Sequence, residues 1–473
     1  MKNKKVYIVI ESFTKLEENR CRKFIVSPYF NKNDGIIKLF EVALEQKKVA
    51  DFQDFSEEEI WQKLEPTKPF NPVRLRKYFS DLLKLIERFI AQEEYERKPI
   101  HKASLLLHGI NNRKLEKLYA GSIRTAEKLS TEQKKQSIDG YFYNYRIEQQ
   151  INTLTKGHDV FLDYNLDKIS LNLDIYYLIE KLKLYCDLLS LKLQKNTEKD
   201  FFLMEPIINH VETHDYGHVP QLMIYYHMMR ALKEQDNTQH YEKLRRLLEK
   251  HGGEFDPQDA TLMYNFAINY IVVKINSGYP EFLSEYFELY KDLLNKRLIF
   301  ENDLLPASHF FNVITTALRL KEYTWAEGFI EEYKVYLNEK EQENVVAYAK
   351  AQFSFYQKDF PKVLEILRFV ELNDLGRKLN SKVMLITTYF ELREFEALHS
   401  LTESFRTFLS RNTQLQKNKK ALYLNLIKFV KKFIQIPDSD KAALLVLRQK
   451  VEQSGATANS AWLLEKINSA LNN

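Results

Sequence analysis

The segment AYAKAQFSFYQKDFPKVLEIL, Ala347–Leu367, decides the fold. With the residue just upstream, Val345, Tyr348, Ala349, Phe353 and Tyr356 recur at i, i+3, i+4, i+8 and i+11, one face of an α-helix. Asp359-Phe360 then makes a tight turn, Pro361 sits where a helix tolerates a missing N–H, and an apolar second helix follows. Outward from here the unit repeats. Turns carrying an aromatic residue stand at Gly278-Tyr279, Glu322-Tyr323, Asp359-Phe360 and Glu394-Phe395, with the aromatics 44, 37 and 35 residues apart. Such a period without long loops predicts stacked helical hairpins, because one hairpin cannot cover its own apolar face.

The cadence resembles that of the tetratricopeptide-repeat family. Ala351 is the small residue of a first helix, Phe360 fills the turn, and EYTWAEGFIEEY (322–333) places Tyr323 and the small Ala326 in the corresponding second helix. REFEALHSLTESF (393–405) is similar, with Ala397 one place early. Val363, Ile314 and Ile386 stand where the family usually carries small residues. The resemblance covers residues 300–410 well and 170–300 loosely. It implies a superhelical α-solenoid whose first helices line a concave groove for a peptide or a partner helix.

The same reading predicts helices at Pro220–Lys233, Pro257–Asn276, Glu281–Lys296, Lys417–Gln435 and Asp438–Gln453, with a closing helix at Ala461–Leu471. Residues 1–100 read as a separate small domain of three helices, Gly35–Gln46, Ser56–Leu64 and Pro72–Glu94. Ser56 followed by Glu59 is a capping box, and Pro72 marks a helix start. Their short, short, long order loosely resembles the tri-helical core of a winged helix-turn-helix domain. Residues 101–170 read as a helical connector and 171–473 as the repeat array. Val6–Ile10 is the one candidate strand, and it serves equally well as a helix start.

Composition narrows the function classes. Only 12 glycines and 12 prolines occur in 473 residues, too few for the turns of a β-rich fold. No Gly precedes a Lys, and no pair of glycines is spaced for a dinucleotide fingerprint or a nucleophile elbow, so nucleotide-binding and serine-hydrolase motifs are absent. Cys21 and Cys186 are the only cysteines, which excludes a disulfide framework. The five apolar residues Val6–Ile10 are too short for a signal peptide, and no run reaches the ~18 of a membrane span. A cytoplasmic protein without membrane contact or cofactor is expected. The net charge of +5 divides into +6 for residues 1–200, −8 for 201–400 and +7 for 401–473.

Four groups of residues are candidates for function. On the groove, Asn312 and Arg319, aligned on the turn at Tyr323, are followed in the next hairpin by Gln352 and Tyr356. Asn and Gln can pair with a peptide backbone, Arg grips carboxylates bidentately, and Tyr adds contact area. Asn312 also resembles the groove asparagine with which some tetratricopeptide proteins hold a peptide backbone or terminal carboxylate. On Pro72–Glu94, Arg74, Lys77, Lys84 and Arg88 form a basic stripe, interrupted by Asp81, of the kind that neutralises phosphates, or else a solvated helix face. Lys417, Lys419, Lys420, Lys428, Lys431 and Lys432, with Tyr423 and Phe429, form the densest basic run. His210, His214 and His218 are the only metal-like spacing, but Glu212 is displaced from the metalloprotease order, so no metal is expected. The leading expectation is a non-enzymatic scaffold or adaptor binding another protein or peptide in its groove. The alternative is a nucleic-acid-binding transcriptional regulator that uses the N-terminal helices.

Overall fold

The computed structural model describes residues 4–48, 54–132, 137–155, 165–195, 198–371, 374–413, 415–437, 439–454 and 457–472. Among these there are 23 α-helices and no strand, only an isolated bridge between Glu301 and Leu304. The protein is an all-α assembly in which consecutive helices pack as neighbours. It divides into two compact units, Met1–Tyr226 and His227–Asn473.

The first unit holds α1 (Lys5–Glu11), α2 (Lys15–Val26), α3 (Asp34–Lys48), α4 (Glu57–Leu64) and α5 (Pro72–Arg97). It continues through α6 (Pro99–Asn112), α7 (Tyr119–Glu132), α8 (Ile138–Thr155), α9 (Leu166–Lys195) and α10 (Met204–Thr213) into α11 (Pro220–Lys233), within which the division falls. Val6–Ile10 is therefore helical. Both the Ser56/Glu59 and the Thr14/Glu17 capping boxes form, and the second starts a helix beyond the three expected. Helices α1–α5 close around one apolar cluster that includes Ile10, Phe40, Trp61, Leu82 and Ile86. A separate cluster with Leu107, Ala126 and Ile147 holds α6–α8. Helix α6 begins two residues after α5 ends, so no hairpin wing follows the long helix among the described residues.

The second unit is the hairpin array. It comprises α12 (Gln239–His251), α13 (Pro257–Asn276), α14 (Phe282–Asn295), α15 (Ala307–Arg319), α16 (Tyr323–Tyr333) and α17 (Glu339–Tyr356). Then come α18 (Phe360–Leu367), α19 (Leu375–Glu391), α20 (Phe395–Arg411), α21 (Lys417–Gln435), α22 (Lys441–Gln453) and α23 (Ser460–Asn472). The expected start of α22, Asp438, lies outside the described residues. Helices α13, α15, α17 and α19 are first helices; α14, α16, α18 and α20 are second helices. The adjacent first helices α15 and α17 touch.

One turn geometry joins the two helices of four successive hairpins, α13–α14 to α19–α20. Lys321, Lys358 and Arg393 adopt left-handed φ values of 64°, 64° and 59°, as does Gly278 at 95°. In each turn that residue's N–H bonds the carbonyl three back, and the next N–H bonds the carbonyl five back, as in Glu322 N to Ala317 O at 2.9 Å. This is the Schellman closure, which satisfies carbonyls that a helix end otherwise leaves unpaired. Lysine and arginine fill it three times out of these four, which is how so few glycines suffice. The packing faces are dry: Ala326, Ala351, Val363, Ile314 and Ile386 are all fully buried. Gly328, inside α16, marks no close helix–helix approach, since a Cβ there meets nothing within 4 Å. A close approach between helices is found at Gly252, the C-cap of α12, where a Cβ would lie 2.7 Å from Tyr264 Oη of α13.

Candidate functional site

The inner face of the second unit opens into a cavity of about 430 Å³ bounded by α13, α14, α15, α17 and α19. Three of the four groove candidates, Asn312, Arg319 and Gln352, line it. They converge because Asn312 and Arg319 are seven residues apart on α15, two helical turns on one face, and Gln352 sits on the adjacent first helix. Tyr356 is one turn further along α17 and does not line the cavity. Its carbonyl accepts from Tyr323 Oη at 3.4 Å.

The polar groups differ in how far they are satisfied. Asn312 Nδ2 donates to Tyr290 Oη at 3.0 Å, and His309 Nδ1 lies 3.3 Å from the same hydroxyl. Gln352 Nε2 donates to Thr315 Oγ1 at 3.4 Å. Gln352 Oε1 and Tyr348 Oη are buried without a hydrogen-bond partner among the described residues. Gln352 is 8% exposed and Tyr348 2%, so water does not reach them freely. An unpaired buried polar atom costs about 1–3 kcal/mol, so each is a standing demand for a partner. Burial also raises the Tyr348 hydroxyl pKa, which keeps it a neutral donor. Arg319 is exposed at the rim and forms no ion pair among the described residues.

Arg377, on α19, was not among the expected groove residues. Its guanidinium lies 5.0 Å over the Phe311 ring, its Nε is 3.6 Å from Asp374 Oδ1, and Tyr348 meets Phe311 edge-on at 5.3 Å. Arg377 also borders a second hollow with Asn344 and Glu371, so the groove continues past it. Tyr348 was legible only as a core residue of its helical face; lying four residues before Gln352, it points one edge into the cavity.

The other candidates are placed differently. Arg74 Nη2 pairs with Glu65 at 3.0 Å and its Nε donates to Tyr78 Oη at 3.2 Å, while Arg88 lies 5.2 Å over the Phe30 ring. Lys77 and Lys84 remain exposed. In the C-terminal run Lys431 pairs with Glu403, Phe429 is buried, and Tyr423 packs on the apolar cluster. Lys432 has its pKa lowered by the neighbouring Lys450 charge. His210 and His214 stack at 4.1 Å, with His210 Nε2 held by Tyr216 Oη at 2.8 Å and His214 Nδ1 3.0 Å from His210 O. No group of three or more His, Cys, Asp or Glu side chains placed to hold a metal occurs among the described residues. No helix among the described residues is long and apolar enough to cross a membrane.

No protein-family model, no curated protein and no solved structure matches the chain.

Proposed function

We propose that this chain is a non-enzymatic binding scaffold that holds an extended segment of another protein in the groove of its second unit. One observation carries the reading: Gln352 Oε1 and Tyr348 Oη are buried, unpaired and on the wall of one cavity with Asn312 and Arg319. An extended peptide presents N–H and C=O groups that match these atoms, and an acidic group on it matches Arg319. The tetratricopeptide-like register of α15–α20 supports the same use of the inner face, as does the absence of nucleotide and nucleophile motifs. The nucleic-acid alternative has less support, because two of the four stripe cations already have intramolecular partners.

The test is selection of peptides from a displayed library on the full-length protein. Selected peptides are expected to lose at least about tenfold in affinity with Arg319→Glu or Gln352→Met, a change of about 1.4 kcal/mol. They are expected to be indifferent to combined reversal of Arg74, Lys77, Lys84 and Arg88. Binders that respond only to the second set sink the reading.

A further inference from the structure

The groove does not end at α19. Arg377 and Asn380 border the cavity, and Thr387 and Glu391 follow them at spacings that keep all four on one face of that helix. The C-terminal helix α23 is seated on this continuation. Asn459, just before it, donates through Nδ2 to Thr387 Oγ1 at 3.0 Å. Trp462 Nε1 donates to Glu391 Oε1 at 2.7 Å, and Lys466 Nζ to Glu391 Oε2 at 2.8 Å. The Trp462 ring stands perpendicular to Phe390 at 5.3 Å. Glu465 reaches Lys358, in the turn after α17, at 3.7 Å.

A helix that merely shields the last hairpin needs contacts with α21 and α22 alone. Helix α23 packs on α22 and α21 and in addition reaches back to α19 with polar contacts specific in position and direction. Leu463 and Ile467, four residues apart, are its fully buried side chains, and Trp462, Leu464, Ala470 and Leu471 pack half-buried against the same apolar cluster. It therefore sits in the groove as a helical ligand does, an apolar i, i+4 pair facing down and directional polar contacts at the edge.

We infer that the groove over α19 and α21 is a helix-binding surface with α23 as its resident occupant. It fits an amphipathic helix of a partner protein that carries two branched aliphatics four apart, flanked by an indole and a cation sharing Glu391. This rests on the reading of the inner face as the binding face. Tethering gives α23 an effective concentration of about millimolar, so it holds the surface against a free competitor of equal chemistry.

The probe is a fluorescein-labelled synthetic peptide of residues 457–472, titrated into the full-length protein. The variant carries Trp462→Ala with Lys466→Glu in the protein, leaving the probe unchanged and Leu463 and Ile467 in place. Amide exchange in α23 is expected to quicken at least about tenfold in the variant, and the probe to bind it at least about tenfold more tightly than wild type. Adding Glu391→Gln to the variant is expected to weaken the probe again. Unchanged α23 exchange, equal binding to both proteins, or no saturable binding to the variant overturns the inference; circular dichroism confirms that each variant is folded. The probe reads the seat of α23 and not the cavity, so its failure leaves peptide binding at Arg319 and Gln352 standing. Loss of that peptide binding likewise leaves the exchange of α23 intact.

Discussion

Gln352 Nε2 donates to Thr315 Oγ1 at 3.4 Å across two neighbouring hairpins, while Oε1 of the same amide has no partner among the described residues. The long hydrogen bond contributes little, and the unpaired acceptor costs more than it returns. Gln352→Met keeps the volume and removes the demand. It is expected to raise stability by about 1 kcal/mol, read from the denaturant midpoint, while weakening peptide binding. A destabilised variant contradicts this and places Oε1 in a satisfied environment.

The left-handed caps give a second expectation. A side chain at φ near +60° costs about 1–2 kcal/mol relative to glycine, before the glycine's larger unfolded-state entropy is subtracted. Lys321→Gly, Lys358→Gly and Arg393→Gly are each expected to stabilise by about 1 kcal/mol or less. Being far apart in sequence and in separate turns, their effects are expected to add. Gly278→Ala, at the fourth such position, is expected to lose about 1 kcal/mol. Thermal unfolding of the four single variants and the triple checks all of this.

Two glycines with opposite surroundings provide an internal control. At Gly328 a Cβ enters open space inside α16, so Gly328→Ala is expected to stabilise by about 1 kcal/mol through helix propensity alone. At Gly252 the added carbon meets Leu248 O at 2.4 Å and Tyr264 Oη at 2.7 Å. Gly252→Ala is expected to destabilise, because backbone must move. Opposite signs in parallel urea titrations support the packing described; equal signs do not.

Acid sensitivity has an identifiable source. His227 Nδ1 lies 3.0 Å from His240 Nδ1, and burial first, then the His240 charge, pushes the His227 pKa down to about 4. In the unfolded chain this imidazole protonates near pH 6.5, so between roughly 4 and 6.5 the unfolded state holds more protons. Its contribution to stability is complete above about pH 6.5, declines as pH falls, and levels off below about 4, for a total of up to about 3 kcal/mol. His227→Gln is expected to flatten the dependence of Tm on pH in that window. An unchanged slope assigns the acid sensitivity elsewhere.

Two helices marked by proline were legible to the residue: Pro220 and Pro257 open α11 and α13, with ends at Lys233 and Asn276, whereas the helix opened by Pro72 runs past the expected Glu94 to Arg97. Helix α2 escaped although Thr14 and Glu17 carry the capping box, because its apolar face is short and its interior is rich in charge. Left-handed lysines and arginines were also hidden, since these residues carry no turn preference and the conformation is imposed by the packed hairpins on either side. For the site, alignment on the turn aromatics found Asn312, Arg319 and Gln352, because a helical face transmits position reliably over two turns. Arg377 could not be found that way. Its place over Phe311 depends on how α19 stacks against α15, a relation between hairpins that no local spacing encodes.

The most direct measurement uses a library-selected peptide bearing a photoreactive group, crosslinked to the full-length protein and mapped by mass spectrometry. A groove-bound peptide puts crosslinks on the inner face between Asn276 and Asn380, on α13, α15, α17 and α19. Crosslinks confined to α1–α5, or to the outer helices α16 and α18, contradict the assignment of the groove as the binding site.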